Sequence, residues 1–185
     1  MMESKRIILG IDPGTQILGY GVIEISGRNA RYIAMGILDL RKLTDHYVKL
    51  RKIYDEVTKL IDLYSPDDLA VEAPFYGKNI QSMLKLGRAQ GSAIAAALNR
   101  DMPIFEYAPR KVKLAITGKG ASSKEQVASL LINILKIKEN SNFLDATDGL
   151  AVAYCHYLQL SNPQTDKAGS SNWESYIKSN PNRVK

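Results

Sequence analysis

Very little in this chain suits sulfur or imidazole chemistry. Its 185 residues include one cysteine, Cys155, and two histidines, His46 and His156. A single thiol excludes a disulfide framework and a thiolate zinc cluster, and Cys155 lies in an apolar helix-like run where a buried, inert thiol is expected. Two histidines so far apart exclude a histidine-based metal site. Any metal would be held by oxygen, which points to magnesium or manganese. No apolar run approaches the ~20 residues that span a bilayer, and "MMESKRIILGIDPG" passes straight into a strand-like run without a signal-peptide cleavage pattern. A soluble, cytoplasmic protein without membrane association is expected.

What the chain does have is apolar residues, 45% of the total, and an excess of cations, with Lys and Arg numbering 25 against 19 Asp and Glu. The length and apolar content suit one domain with a full core. The charge is unevenly placed. Residues 76–100 carry Lys78, Lys85, Arg88 and Arg100 with no acid, and residues 106–124 carry Arg110, Lys111, Lys113, Lys119 and Lys124 against Glu106 alone. Cations confined to two segments form an electrostatic footprint for a polyanion, nucleic acid first. A merely solvated basic face is the competing reading.

Hydrophobic periodicity gives the architecture. "RIILGID", "GYGVIEIS" and "ARYIAMGILDL" are strands joined by short turns, forming an antiparallel meander. Apolar residues at 47, 50, 54, 57, 61 and 64 predict an amphipathic helix that ends before Pro66. "DLAVEAP" is a short buried strand, "NIQSMLKLGRAQGSAIAAALNR" a long helix and "IFEYAP" a fifth strand. Helices over 109–116 and 123–136 flank Gly118-Lys119-Gly120, the second opening on a capping box of Ser122 and Glu125. A last helix runs to about residue 160. The expected fold is α/β, a five-stranded mixed sheet of three antiparallel and two parallel strands with helices on both faces. Residues 1–160 form the expected domain, and 161–185 a polar, mobile tail containing Trp173.

Four acids stand out. Asp12 and Glu72 close otherwise apolar strands, and functional groups in open α/β sheets collect at strand ends. Asp145 and Asp148 open the last helix in "FLDATDGLAVAYCHY", three positions apart and so on one helical face. Helix-capping explains such a pair as readily as cation binding does. Acids from three elements converging at one sheet edge would provide the hard oxygen ligands of a two-metal phosphoryl-transfer site.

Several motifs in order carry a family likeness: "LGIDPGT…GYGV", "AVEAPFYGKN", "SMLKLG", "FEYAPRKVK" and "LDATDGLAVA". Over residues 6–158 the chain resembles the bacterial RuvC Holliday junction resolvases. The resemblance implies an RNase H-like fold and a homodimer that nicks two opposing strands of a four-way DNA junction. It also implies a partnership with the branch-migration helicase complex, RuvA and RuvB, in recombinational repair. By motif position Asp12, Glu72, Asp145 and Asp148 match the family's catalytic acids, Phe75 its base-stacking aromatic, and Lys113 and Lys124 its basic residues near the scissile phosphate. Two magnesium ions, with manganese as a substitute, are the implied cofactor. Asp12 would bridge the ions, Glu72 and Asp148 would each complete one, and Asp145 would touch directly or through water. Tyr76, Lys78, Lys85 and Arg88 are further candidate DNA contacts. Where the family's Gln-Ala-Arg order is expected this chain has Arg88-Ala89-Gln90, which displaces a basic contact.

Rival readings are weaker. "GIDPGT" is also similar to the first phosphate loop of sugar kinases and actin-like ATPases, but the chain has no room for their second lobe. "TGKGASSK" lacks the Gly-x4-Gly-Lys-Ser/Thr pattern of a P-loop. An RNase H-like nuclease of ribosomal RNA precursors and a non-catalytic junction-binding module remain as alternatives.

Overall fold

The computed structural model describes residues 5–74, 79–138 and 144–161. In chain order these form β1 (Lys5–Asp12), β2 (Ile17–Ser26), β3 (Asn29–Asp39), α1 (His46–Tyr64), β4 (Asp68–Glu72), α2 (Ile80–Leu98), β5 (Ile104–Tyr107), α3 (Pro109–Thr117), α4 (Lys124–Ile134) and α5 (Leu144–Ser161). The strands make one five-stranded sheet in the order β3-β2-β1-β4-β5. β1, β2 and β3 pair antiparallel, while β4 runs parallel to both β1 and β5. The expected mixed sheet is therefore present. The tail call on residues 161–185 falls, beyond Ser161, outside the described residues.

Side-chain alternation along the strands divides the core in two. Leu9, Ile11, Leu69 and Val71 face one side and pack with Ile53, Val57 and Leu60 of α1 and Ala89, Ala93 and Ala96 of α2. Ile8 and Ala70 face the other side and pack with Val112, Val127 and Leu131 of α3 and α4 and Leu150 and Ala153 of α5. Helices thus cover both faces.

α5 is buried nearly all round, from Ala146 to Tyr157. It lies directly on β1 and β2 because the contacting residues have no side chain to keep it away. A Cβ on Gly19 would run into the Asp145 carbonyl, and one on Gly149 would come within 2.5 Å of the Tyr20 Cα. This close approach presses the first turns of α5 against the end of the central strands.

Two local expectations shift. α4 is capped one residue later than expected: Ser123 is the N-cap and Gln126 completes the capping box. Ser122 instead bonds the Thr117 hydroxyl at 2.8 Å and the Lys119 carbonyl at 3.0 Å, so its hydroxyl is spent on the preceding loop. α5 begins at Leu144, which puts Asp145 in its first turn and Asp148 in its second, past the free N–H groups.

Candidate active site

The strand parity that sorts the core also aims the acids. Asp12 shares its face with Ile8, and Glu72 with Ala70, so both point to the side that α5 covers. β1 and β4 are adjacent and in parallel register through Gly10↔Ala70 and Ile11↔Val71, and Asp12 and Glu72 follow one step further along each strand. Asp148 reaches the same place from α5. Asp12, Glu72 and Asp148 line one cleft of about 190 Å³, closed by Pro109, Val112, Val127 and Ala151 and flanked by Lys113 and Lys124.

The cleft's electrostatics are those of carboxylates short of cations. Burial, reinforced by Asp148 and Asp145 and opposed by Lys124, pushes Asp12 up to about 7. Burial and then Asp12 and Asp148 push Glu72 up to about 8, against the pull of Lys124 and Lys113. Asp148 is also raised by burial, although the Lys124 ammonium hydrogen-bonds it. Lys124 stands 3.7 Å from Asp145 as well, bridging the two acids of α5. Burial opposes its charge, but the bond to Asp148 and the fields of Asp148, Asp12 and Asp145 hold its pKa above the ordinary lysine value.

Among the described residues no three His, Cys, Asp or Glu side chains are drawn together tightly enough to hold a metal ion as they stand. The donor set itself fits a hard divalent ion, because three carboxylates share one cleft and the only thiol, Cys155, is buried with its pKa pushed up to about 12. Asp145 does not line the cleft and reaches it through Lys124.

Of the expected DNA contacts, Lys113 and Lys124 are at the cleft. Lys85 and Arg88 are exposed on α2, which packs on the opposite face of the sheet, and neither lines the cleft. Phe75, Tyr76 and Lys78 lie outside the described residues. Pattern reasoning missed a polar chain that runs from the exposed Arg6 inward under α5. Arg6 makes bonds of 2.5 and 2.7 Å to Asp68, Asp68 meets His156 Nε2 at 3.3 Å, and His156 Nδ1 meets the Tyr107 hydroxyl at 2.6 Å.

The comparisons with known proteins decide the family. The family model described as "Crossover junction endodeoxyribonuclease RuvC" matches residues 8–156. This chain belongs to the RuvC family. A relative of that name from Bacteroides fragilis is 59% identical over 98% of this chain and 97% of its own length. One from Porphyromonas gingivalis is 51% identical with both chains fully covered. The solved Thermus thermophilus RuvC in complex with Holliday junction substrate superposes with a TM-score of 0.77 at 29% identity, covering 84% of this chain and 94% of that one. The RuvC family's RNase H-like fold is thus the fold of this chain, as its motifs led one to expect.

Proposed function

We propose that the chain is a structure-selective endonuclease that resolves four-way DNA junctions by paired nicks in recombination and repair. The observation that carries this reading is the cleft itself, where Asp12, Glu72 and Asp148 from three elements meet Lys113 and Lys124 in a RuvC-family fold. Asp12, Glu72, Asp148 and, directly or through water, Asp145 would hold two magnesium ions, with manganese as a substitute. When bound, such ions lower the pKa of the attacking water, neutralise charge at phosphorus and stabilise the departing 3′ oxygen.

The chain's own residues do the rest. Lys124 and Lys113 place fixed positive charge at the cleft wall, where phosphate charge grows in the transition state. Lys124 also holds Asp148 and Asp145 in place before substrate arrives. Pro109, Val112, Val127 and Ala151 supply an apolar lining that strengthens each of these interactions. Phe75 would stack on a junction base, with Tyr76, Lys78, Lys85 and Arg88 as further DNA contacts.

Paired nicks need paired sites, so the working form would be a homodimer. The outer face of α2 supports this. Ile80, Leu84, Gly87, Gly91, Ala95 and Leu98 recur at the 3,4 spacing of a helix–helix seam. Ile80, Leu84 and Leu98 are 64%, 48% and 60% exposed, and open space surrounds both glycines. A second copy of the same helix would cover that stripe. Partnership with the RuvA and RuvB helicase complex and a cytoplasmic location complete the proposal.

A synthetic four-way junction tested beside linear duplex and structured RNA, with magnesium, manganese or chelator, checks it. Symmetric paired nicks in the junction alone, abolished by chelator, are expected. Preferential cutting of RNA would shift the reading to RNA processing, and metal-independent binding without cutting would leave only a junction-binding module.

A further inference from the structure

The acid side chains face α5, yet the backbone that carries two of them is held from behind, by the helices of the opposite face. Lys49 of α1 is buried, 8% exposed. Its ammonium donates to the Thr15 carbonyl at 2.9 Å and the Gln16 side-chain oxygen at 3.4 Å. Both acceptors are neutral, and among the described residues no carboxylate pairs with Lys49. Burying an ammonium is costly unless it is fully engaged, so its partners matter. They lie in the four-residue connection between Asp12 and Ile17, which a bond of 2.8 Å from the Leu40 N–H to the Gln16 carbonyl also braces.

Gln90 of α2, equally buried, does the same at the other strand. Its amide nitrogen donates to the Glu72 carbonyl at 3.3 Å and to Glu106 Oε2 at 3.1 Å, joining the ends of β4 and β5. The two helices are tied to each other between these points, because Ser92 Oγ donates to the Leu50 carbonyl at 2.6 Å. Leu50 adjoins Lys49, and Ser92 is two residues from Gln90. Side-chain bonds from α1 and α2 thus reach both the turn after Asp12 and the backbone of Glu72 behind the sheet.

We infer that Lys49 and Gln90 are positioning residues for junction cleavage: from the face opposite the acids they pin the two strand ends whose carboxylates form the cleft. Bonds to the turn after Asp12 and to the Glu72 carbonyl limit how far the two strand ends can shift relative to each other. Productive geometry tolerates little error, since a displacement of about 1 Å can cost about a hundredfold in rate. The inference rests on the nuclease reading of the cleft.

Lys49→Met and Gln90→Met remove the donors at similar volume, and Lys49→Arg retains one. Single-turnover cutting of a four-way junction should fall about tenfold or more in each Met variant while metal-free junction affinity stays within about twofold. The gain in melting temperature on adding manganese, which needs no DNA, should shrink by about half, because the ligands no longer converge. Lys49→Arg should recover most of both. Cutting and manganese response at wild-type level in the Met variants would overturn the inference, as would a rate loss matched by an equal loss of junction affinity. Should Lys49→Met fail to fold, Gln90→Met and Lys49→Arg decide. A wild-type protein that cuts no junction would sink the nuclease reading, and the manganese response would still decide whether the pins set the cleft.

Discussion

Two acids four residues apart on β4, Asp68 and Glu72, point to the same face of the sheet and meet opposite fates. Asp68 is completely buried and fully engaged, with both Arg6 bonds on its carboxylate and His156 against it. Burial pulls His156 below its ordinary 6.5, with Asp68 opposing, so the imidazole is neutral near pH 7. A neutral ring that donates Nε2–H to Asp68 accepts the Tyr107 hydroxyl at Nδ1, and every group in the chain is then satisfied. Glu72 is less buried, yet burial, reinforced by Asp12 and Asp148 against the pull of Lys124 and Lys113, drives its pKa up to about 8. A buried acid with partners holds the fold together. One left without such partners, as Glu72 is, suits the proposed cation site.

The contrast can be broken most forcefully at Asp68. Asp68→Asn strips the half-exposed Arg6 guanidinium and the buried His156 of a charged acceptor, which should cost about 1–3 kcal/mol in urea unfolding. Folded molecules should still cut junctions at close to the wild-type rate. Glu72→Gln should do the reverse, lowering single-turnover cutting at least about a hundredfold while leaving stability equal or higher. Gly19→Ala tests the packing that brings α5 to the cleft: a methyl against the Asp145 carbonyl should cost about 1–3 kcal/mol and slow cutting as well.

The comparison is sharpened through pH. Asp12 and Glu72 titrate near 7 and 8 in the fold against ordinary values of 3.8 and 4.5, so between these limits the folded protein binds more protons than the unfolded chain. Metal-free stability should therefore fall as pH rises from about 5 to about 8, read as a lower melting temperature. Asp12→Asn and Glu72→Gln should each flatten that slope.

The fold was largely legible because its signals are local. Continuous apolar runs ended by Pro13-Gly14 and Ala73-Pro74 mark β1 and β4, and helical periodicity between strands implies the parallel pairs that the sheet shows. Asp12 and Glu72 were visible as charges closing apolar runs. Asp68 was equally visible at the start of such a run, but its partners Arg6 and His156 stand 62 and 88 residues away, and no local pattern reports pairing at that range. The α4 cap slipped by one residue because Ser122 and Ser123 each have a capping partner three positions on, Glu125 or Gln126, and only the loop before them decides. Lys49 and Gln90 were illegible for another reason. A polar residue in an amphipathic helix reads as solvent-facing, and only the packed structure shows its side chain turned onto a strand end.

Manganese titration of the DNA-free protein at pH 8, followed by loss of the free-ion paramagnetic resonance signal, tests the difference between the two acids most directly. Wild type and Asp68→Asn should bind manganese alike, and Glu72→Gln should bind at least about tenfold more weakly. Equal binding by Glu72→Gln and wild type, or weakened binding by Asp68→Asn alone, would contradict the assignment of the cleft as the cation site.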